Sequence, residues 1–190
     1  MNTTIIFAHP WLGSYNKAIL DRVVSKLDTK GEEYTLIDLY RDGFDPVLSE
    51  ADLKIYAKGR SNDPHVIRYN QILDKTDRVI LIFPIWWYDM PAILRGFFDK
   101  VMLNGLAWYA DDEGMHAIRN IPETRVITTS ASSTDQLVEL FGDPINGTII
   151  NSTFRFIGFN NAKWHNLGGI DTTATPKELA DFLEMIYETV

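Results

Sequence analysis

The chain contains no cysteine. That absence excludes disulfides, zinc-thiolate sites and iron-sulfur clusters, and with them any thiol-based redox chemistry, so redox work would need a bound cofactor. Positive charge is also scarce. Eighteen Lys and Arg stand against 26 Asp and Glu, a net charge of -8, which argues against a nonspecific hold on nucleic acid or anionic lipid, both of which need basic patches. Long apolar runs are missing. The longest uncharged one, Val79 to Tyr88, lies between Arg78 and Asp89 and falls well short of the ~20 residues that cross a bilayer, so no membrane span is expected. Met1-Asn2-Thr3-Thr4 carries no basic residue and the apolar stretch behind it stops at His9-Pro10, so no signal peptide is read and a cytoplasmic location is expected. There is no Walker loop, no G-x-G-x-x-G fingerprint, no G-x-S-x-G elbow around Ser14, Ser130 or Ser132, and no H-E-x-x-H pair among His9, His65, His116 and His165. Nucleotide hydrolysis, Rossmann-type dinucleotide binding, serine hydrolysis and zinc hydrolysis therefore lack their signals. The acidic run Asp111-Asp112-Glu113 reads as a solvated charge cluster, and no metal is expected.

What is present fits one domain, residues 1–190, long enough to bury a core without staples. Apolar runs predict strands at Thr4 to Ala8, Tyr34 to Leu39, Val79 to Phe83, Arg125 to Thr129 and Lys163 to Leu167. Helical spacing predicts helices over Asn16 to Leu27, over two pieces between Ala51 and Leu73, and from Pro91 to Leu103. Thr148 to Phe156 is read as helical, Ser130 to Gly147 is left open, and Asn104 to Glu123 is read as a long irregular loop. Thr175, Pro176 and Glu178 spell a capping box for a final helix with Leu179, Phe182, Leu183 and Ile186 as its buried stripe. Strands alternating with helices imply an α/β domain. Five of them favour a flavodoxin-like parallel sheet in the order 2-1-3-4-5, with helices on both faces.

Two segments carry chemistry. Phe83-Pro84-Ile85-Trp86-Trp87-Tyr88-Asp89-Met90-Pro91 is a strand end, an aromatic turn and a helix start. In an open parallel sheet, ligands bind at the carboxyl ends of the strands, so aromatics there suit a flat conjugated molecule, with a flavin ring as first candidate. The alternative is that Trp86, Trp87 and Tyr88 only cap the core. The second segment, His9-Pro10-Trp11-Leu12-Gly13-Ser14-Tyr15-Asn16, ends the first strand and opens a helix. Backbone N–H groups at a helix start attract anions, which makes this a seat for phosphate, although Ser14 also reads as a plain helix cap. An anionic tail and a planar head can thus be gripped at one sheet edge.

Together these segments resemble the flavodoxin-like NAD(P)H:quinone oxidoreductases, the family of DT-diaphorase and of the bacterial modulator-of-drug-activity and potassium-efflux ancillary proteins. The likeness is strongest from Phe83 to Val101, and Asp38-Leu39-Tyr40, Phe44-Asp45-Pro46 and Ala107-Trp108 fit it as well. The resemblance implies a flavin, FMN or FAD, with NAD(P)H as co-substrate and a quinone or similar small electron acceptor. It implies that His9, Ser14, Tyr15, Asn16 and Ala18 hold the flavin phosphate and ribityl chain, and that Pro84, Ile85, Trp87 and Tyr88 line the ring. Thr128 and Thr129 open the loop that touches the pyrimidine side, where Ser130 and Ala131 stand in place of the family's two glycines. Trp108, Tyr109 and Phe141 belong to the substrate pocket, the first two reaching it from the second subunit of a homodimer. Phe141-Gly142-Asp143 replaces the family's histidine-glycine-aspartate, and the tyrosine and histidine beside the flavin have no counterpart, so no catalytic side chain is assigned. A second reading is a noncatalytic flavin-binding electron carrier, or the regulatory partner of a potassium-efflux transporter.

Overall fold

In the computed structural model, which describes residues 1–190, the strands are β1 (Thr3–Phe7), β2 (Tyr34–Asp38), β3 (Arg78–Pro84), a hairpin of β4 (Trp108–Asp111) and β5 (Gly114–Ala117), then β6 (Glu123–Thr129) and β7 (Ala162–Leu167). Five of these pair in parallel in the order β2-β1-β3-β6-β7, which is the flavodoxin-like 2-1-3-4-5 arrangement expected. Helices α1 (Tyr15–Lys30), α2 (Glu50–Tyr56), α3 (Pro64–Leu73), α4 (Ala92–Val101), α5 (Thr134–Glu139), the single turn α6 (Arg155–Ile157) and α7 (Pro176–Thr189) cover the faces.

Side chains alternate across a strand, so a sheet covered on both faces needs apolar residues at every position. β3 meets that demand, every one of its residues being buried. Val79, Leu81 and Phe83 point into a core shared with α3 and α4, while Ile80 and Ile82 point into a smaller one shared with α1 and α7. β1 divides in the same way, Ile6 to the first core and Ile5 and Phe7 to the second. β2 lies at one edge, and of its residues only Ile37 is buried. No helix is long and apolar enough to cross a membrane.

Three stretches differ from the periodicity reading. Asn104 to Glu123 is not irregular: Trp108 to Ala117 folds into the β4–β5 hairpin, with Tyr109 stacked on His116 at 4.9 Å and His116 paired with Asp111 at 2.9 Å. Its loop is Asp112-Glu113, without the Asn-Gly type of signal that marks a tight hairpin, so the acidic run concealed it. Within Ser130 to Gly147, α5 is capped by a reciprocal box of Ser133 and Gln136. The helix expected over Thr148 to Phe156 begins three residues earlier and is wound differently, Ile145–Phe154 being a π-helix that runs on into α6.

The box at α7 is formed as expected, Thr175 accepting from the Glu178 N–H and the Glu178 carboxylate accepting from Thr175. Thr175→Ala is therefore expected to lower stability by about 1 kcal/mol, read as a shift of the urea midpoint at unchanged m-value.

Candidate functional site

At the carboxyl edge of the sheet, β3 lies between β1 and β6, so the turn that follows it is flanked by both neighbouring loops. The Ile85 N–H donates to the Thr129 carbonyl at 2.7 Å, continuing the β3–β6 ladder one step past the strand. The Asn16 amide donates to the Thr129 hydroxyl at 2.8 Å, and the His9 ring meets Trp86 edge-on at 5.9 Å. The structure thus brings the segments after β1, β3 and β6 into one place.

The aromatic turn is a two-residue reversal. Trp86 and Asp89 exchange N–H···O bonds of 3.0 and 3.1 Å, and between them Trp87 and Tyr88 have φ of 52° and 64°. Tight reversals of this hand normally carry Asn-Gly, because a side chain in the left-handed region costs about 1–2 kcal/mol per residue. Nothing in the chain compensates at Trp87, whose side chain is 94% exposed. Tyr88 is half-exposed and rests on Phe141 at 4.5 Å between ring centroids, while Pro84 and Ile85 are buried beneath. Such strain persists where structure over-determines it and gathers at ligand sites. The turn forms one wall of a notch of about 180 Å³ whose other wall is Ser130, Ala131, Ser132 and Leu137. A larger cavity, about 890 Å³, opens at the amino-terminal edge between Asn2, Glu32, Glu33 and Lys75, away from all of these residues.

In the first loop, Ser14 is buried and caps α1, accepting from the Lys17 N–H at 3.2 Å. The Trp11 indole lies over Gly13, where a Cβ would come within 2.5 Å of the ring. The Tyr15 and Asn16 N–H groups make no hydrogen bond within the chain and face the anion-attracting end of the helix. Ala18 donates its own N–H to the Ser14 carbonyl. The Tyr15 side chain turns away: its hydroxyl donates to the Leu179 carbonyl of α7 and burial pushes its pKa up to about 12, so it keeps its proton. Only its backbone faces the loop. Asn16 is 3% exposed and its amide oxygen has no partner. Turned over, the amide would leave its nitrogen unpartnered instead. Either orientation leaves one polar atom for a ligand, an acceptor for a hydroxyl or a donor for a phosphate.

Burial lowers the His9 pKa below 6.5, against the smaller opposing effect of its Trp11 backbone contact. The Nδ1 accepts from the Trp11 N–H at 3.1 Å, as a neutral ring can. A base whose pKa is depressed by folding stabilises the fold above its unfolded pKa and loses that contribution as pH falls toward the folded one. Titration of the His9 ring protons by NMR is expected to show a midpoint below 6.5, and His9→Gln to flatten the stability loss between neutrality and that midpoint.

After β6, the Ser130 N–H is taken by the Leu167 carbonyl and its own carbonyl by the Ile170 N–H, each at 3.0 Å. The Ala131 and Ser132 N–H groups, like those of Trp87 and Tyr88, make no bond within the chain. Beneath this loop lies a polar cluster that motif reading missed: Asn166 on β7 bonds Thr128, Ser130 and Thr134, and Trp164 bonds Thr128. An asparagine inside a strand of this length was the available signal, since Asn is depleted there. Gly168 follows, and a Cβ on it would stand 2.8 Å from the Ser132 carbonyl. Trp108 and Tyr109 are not with the others. They sit on the hairpin beyond the carboxyl end of α4, on the amino-terminal side of the sheet, the Trp108 indole donating to Met102 and Tyr109 half-exposed. Of the three residues read as substrate pocket, only Phe141 meets the turn.

The edge can therefore hold a molecule with an anionic end at the start of α1, hydroxyls along Asn16, and a planar group against Trp87 and Tyr88 whose polar rim takes the free N–H groups of both loops.

The chain is 31% identical over 173 residues, covering 90% of its length and 85% of the relative's, to the "Uncharacterized NAD(P)H oxidoreductase" of Haemophilus influenzae. It is 31% identical over 175 residues to NAD(P)H dehydrogenase [quinone] 1 of Cavia porcellus, covering 82% of this chain but spanning only 64% of that protein. The NAD(P)H:quinone oxidoreductase of Methanothermobacter marburgensis superposes with a TM-score of 0.86 over 99% of this chain and 96% of its own, at 24% identity, a likeness of fold. With the model of the flavodoxin-like fold family (Flavodoxin_2) matching residues 1–190, the chain belongs to that family, and its relatives include NAD(P)H oxidoreductases.

Proposed function

We propose that the protein is a flavoenzyme that holds FMN or FAD at the carboxyl edge of its sheet and passes reducing equivalents from NAD(P)H to a quinone or a similar small acceptor. The observation that carries this reading is the strained Trp87-Tyr88 turn, standing across a notch from unpartnered Ala131 and Ser132 N–H groups and beside the Asn16 amide, one of whose two polar atoms has no partner. A bound flavin supplies the hydride exchange that no side chain of this chain performs. The chain binds and orients. The Tyr15 and Asn16 N–H groups take the phosphate, with Ser14 holding the helix start, His9 fixing the loop against Trp86, and Ala18 close behind. The Asn16 amide takes a ribityl hydroxyl. Pro84 and Ile85 form the floor of the ring site, Trp87 and Tyr88 its edge. Thr128, Thr129 and Ser130 anchor the loop that brings the free Ala131 and Ser132 N–H groups to the pyrimidine rim, where preorganised donors stabilise negative charge without rearranging. Phe141, on Tyr88, borders the space left for nicotinamide and acceptor.

Trp108 and Tyr109 join this site only in a homodimer, with the hairpin of one copy laid over the turn of the other. Equilibrium sedimentation is expected to show a dimer, and Tyr109→Ala to raise the KM for the acceptor several-fold with flavin affinity unchanged.

Purified protein given FMN or FAD is expected to turn yellow, to release a flavin identifiable by mass, and to oxidise NADH or NADPH steadily when a quinone is added. A folded protein that stays colourless overturns the proposal. Retained flavin without turnover would leave the electron-carrier or transporter-regulating reading.

A further inference from the structure

We propose that Asn166 is a positioning residue for the flavin ring, acting through a one-way chain of hydrogen bonds that sets the Ala131 and Ser132 N–H groups at the ring's rim. The inference rests on the flavin reading and adds a residue that touches no ligand.

The chain of bonds has only one direction. Trp164 Nε1 can only donate, and it donates to the Thr128 hydroxyl at 2.8 Å. Thr128 must then send its own proton elsewhere, to Asn166 Oδ1 at 2.8 Å. At the far end, the Ser132 carbonyl can only accept, and at 2.7 Å it takes the Ser130 hydroxyl proton in preference to Asn166 Oδ1, which lies at 3.3 Å. Ser130 Oγ is thereby left to accept from Asn166 Nδ2 at 2.9 Å, and the second proton of that amide goes to the Thr134 hydroxyl, also at 2.9 Å. The fixed ends decide which way the amide faces, and every proton of Asn166 is used. Thr128 and Ser130 are buried and Asn166, Trp164 and Thr134 half-buried, and a fully satisfied polar cluster specifies one geometry.

The network holds the loop at three places. Thr128 is the last but one residue of β6, Ser130 begins the loop, and Thr134 is the first residue of α5. Between the last two lie Ala131 and Ser132, whose N–H groups have no partner. From below, the close approach of Gly168 to the Ser132 carbonyl leaves no room for the loop to sink. Ser130 and Ala131 lack the backbone freedom of a glycine pair, and Asn166 provides from the neighbouring strand the rigid placement that such a loop then needs.

N–H groups held at the rim bind an anionic ring more tightly than a neutral one, because hydrogen bonds to charge are roughly twice as strong. Asn166→Leu, similar in shape and without donors, is expected to weaken oxidised FMN about threefold and reduced FMN about thirtyfold. That tenfold difference corresponds to a midpoint potential about 30 mV more negative. Titration of both redox states by fluorescence and spectroelectrochemistry reads it directly, with no turnover required. A purely structural role would weaken both states equally and leave the potential where it was, and that result overturns the proposal. Should Asn166→Leu fail to fold, Thr134→Val removes one of the two amide donations and is expected to shift the potential in the same direction by a smaller amount; no shift there overturns the proposal as well. If the wild-type protein itself binds no flavin, it is the flavin reading that fails, a result distinct from an unchanged ratio in the variants.

Discussion

A Trp87→Asn, Tyr88→Gly double variant is expected to bind FMN about a hundredfold more weakly than the wild type and, without flavin, to unfold at a higher urea concentration. The two effects have one origin. Both residues sit in the left-handed region, at φ of 52° and 64°, where each side chain costs about 1–2 kcal/mol. Asn-Gly is the pair that this reversal accepts with least strain. Against a gain of about 2 kcal/mol stands the loss of the Tyr88–Phe141 ring pair, about 1 kcal/mol. Trp87, almost wholly exposed, gives up no packing. The apo-protein should therefore gain about 1 kcal/mol, seen as a higher urea midpoint at unchanged m-value. Flavin binding loses two aromatic contacts worth about 1–1.5 kcal/mol each, which together make about two decades in Kd. A less stable apo-protein would show that the turn is not strained. Unchanged affinity would show that the rings do not meet the flavin.

Much of the framework was legible because local and global signals agree. The uncharged run of β3 could only be a strand buried on both faces, and the Thr175-Pro176-Glu178 box marked the start of α7 to the residue. Pro84 and Pro91 punctuated the aromatic turn, so its place was readable. Its conformation was not, since Trp-Tyr is among the last dipeptides that propensity would put at two positive φ angles. The inward face of Asn16 could be expected from its position at the helix start. The outward turn of Tyr15 could not, because it depends on α7, 164 residues along the chain. Trp108 and Tyr109 were found as a pair by resemblance, but their place opposite the turn follows from the direction of α4, which only the fold shows. Asn166 was invisible to motif reading for a related reason: its three hydroxyl partners are 32 to 38 residues away, and only the pairing of β6 with β7 brings them under one amide.

The other large effect lies away from the site, at the junction of α3, α4 and the segment after β2. Lys100 of α4 is 5% exposed in its side chain, and its ammonium group is held by the Asp63 carboxylate and the Asp45 carbonyl, each at 2.8 Å. Asp63 serves twice, since its other oxygen accepts from the His65 N–H at 2.8 Å and caps α3. Asp63→Ala is expected to lower stability by about 4 kcal/mol: a stranded buried charge costs about 3–5 kcal/mol, and the cap alone would account for about 1 kcal/mol. Asp63→Asn keeps the cap and a neutral partner for Lys100, and should cost about half as much. Acid separates the two contributions. Burial pushes the Asp63 pKa up, but the bonds from Lys100 and the His65 N–H outweigh it and hold the carboxyl below its ordinary value. A depressed carboxylate pKa gives stability that is complete above the unfolded value and is lost as pH falls through the folded one. The wild-type urea midpoint should therefore begin to converge on that of Asp63→Ala only as pH falls below about 4, the ordinary carboxylate value. A deficit near 1 kcal/mol at neutral pH, with no convergence in acid, would mean that Lys100 reaches water once its partner is gone and that the cap was all the aspartate contributed.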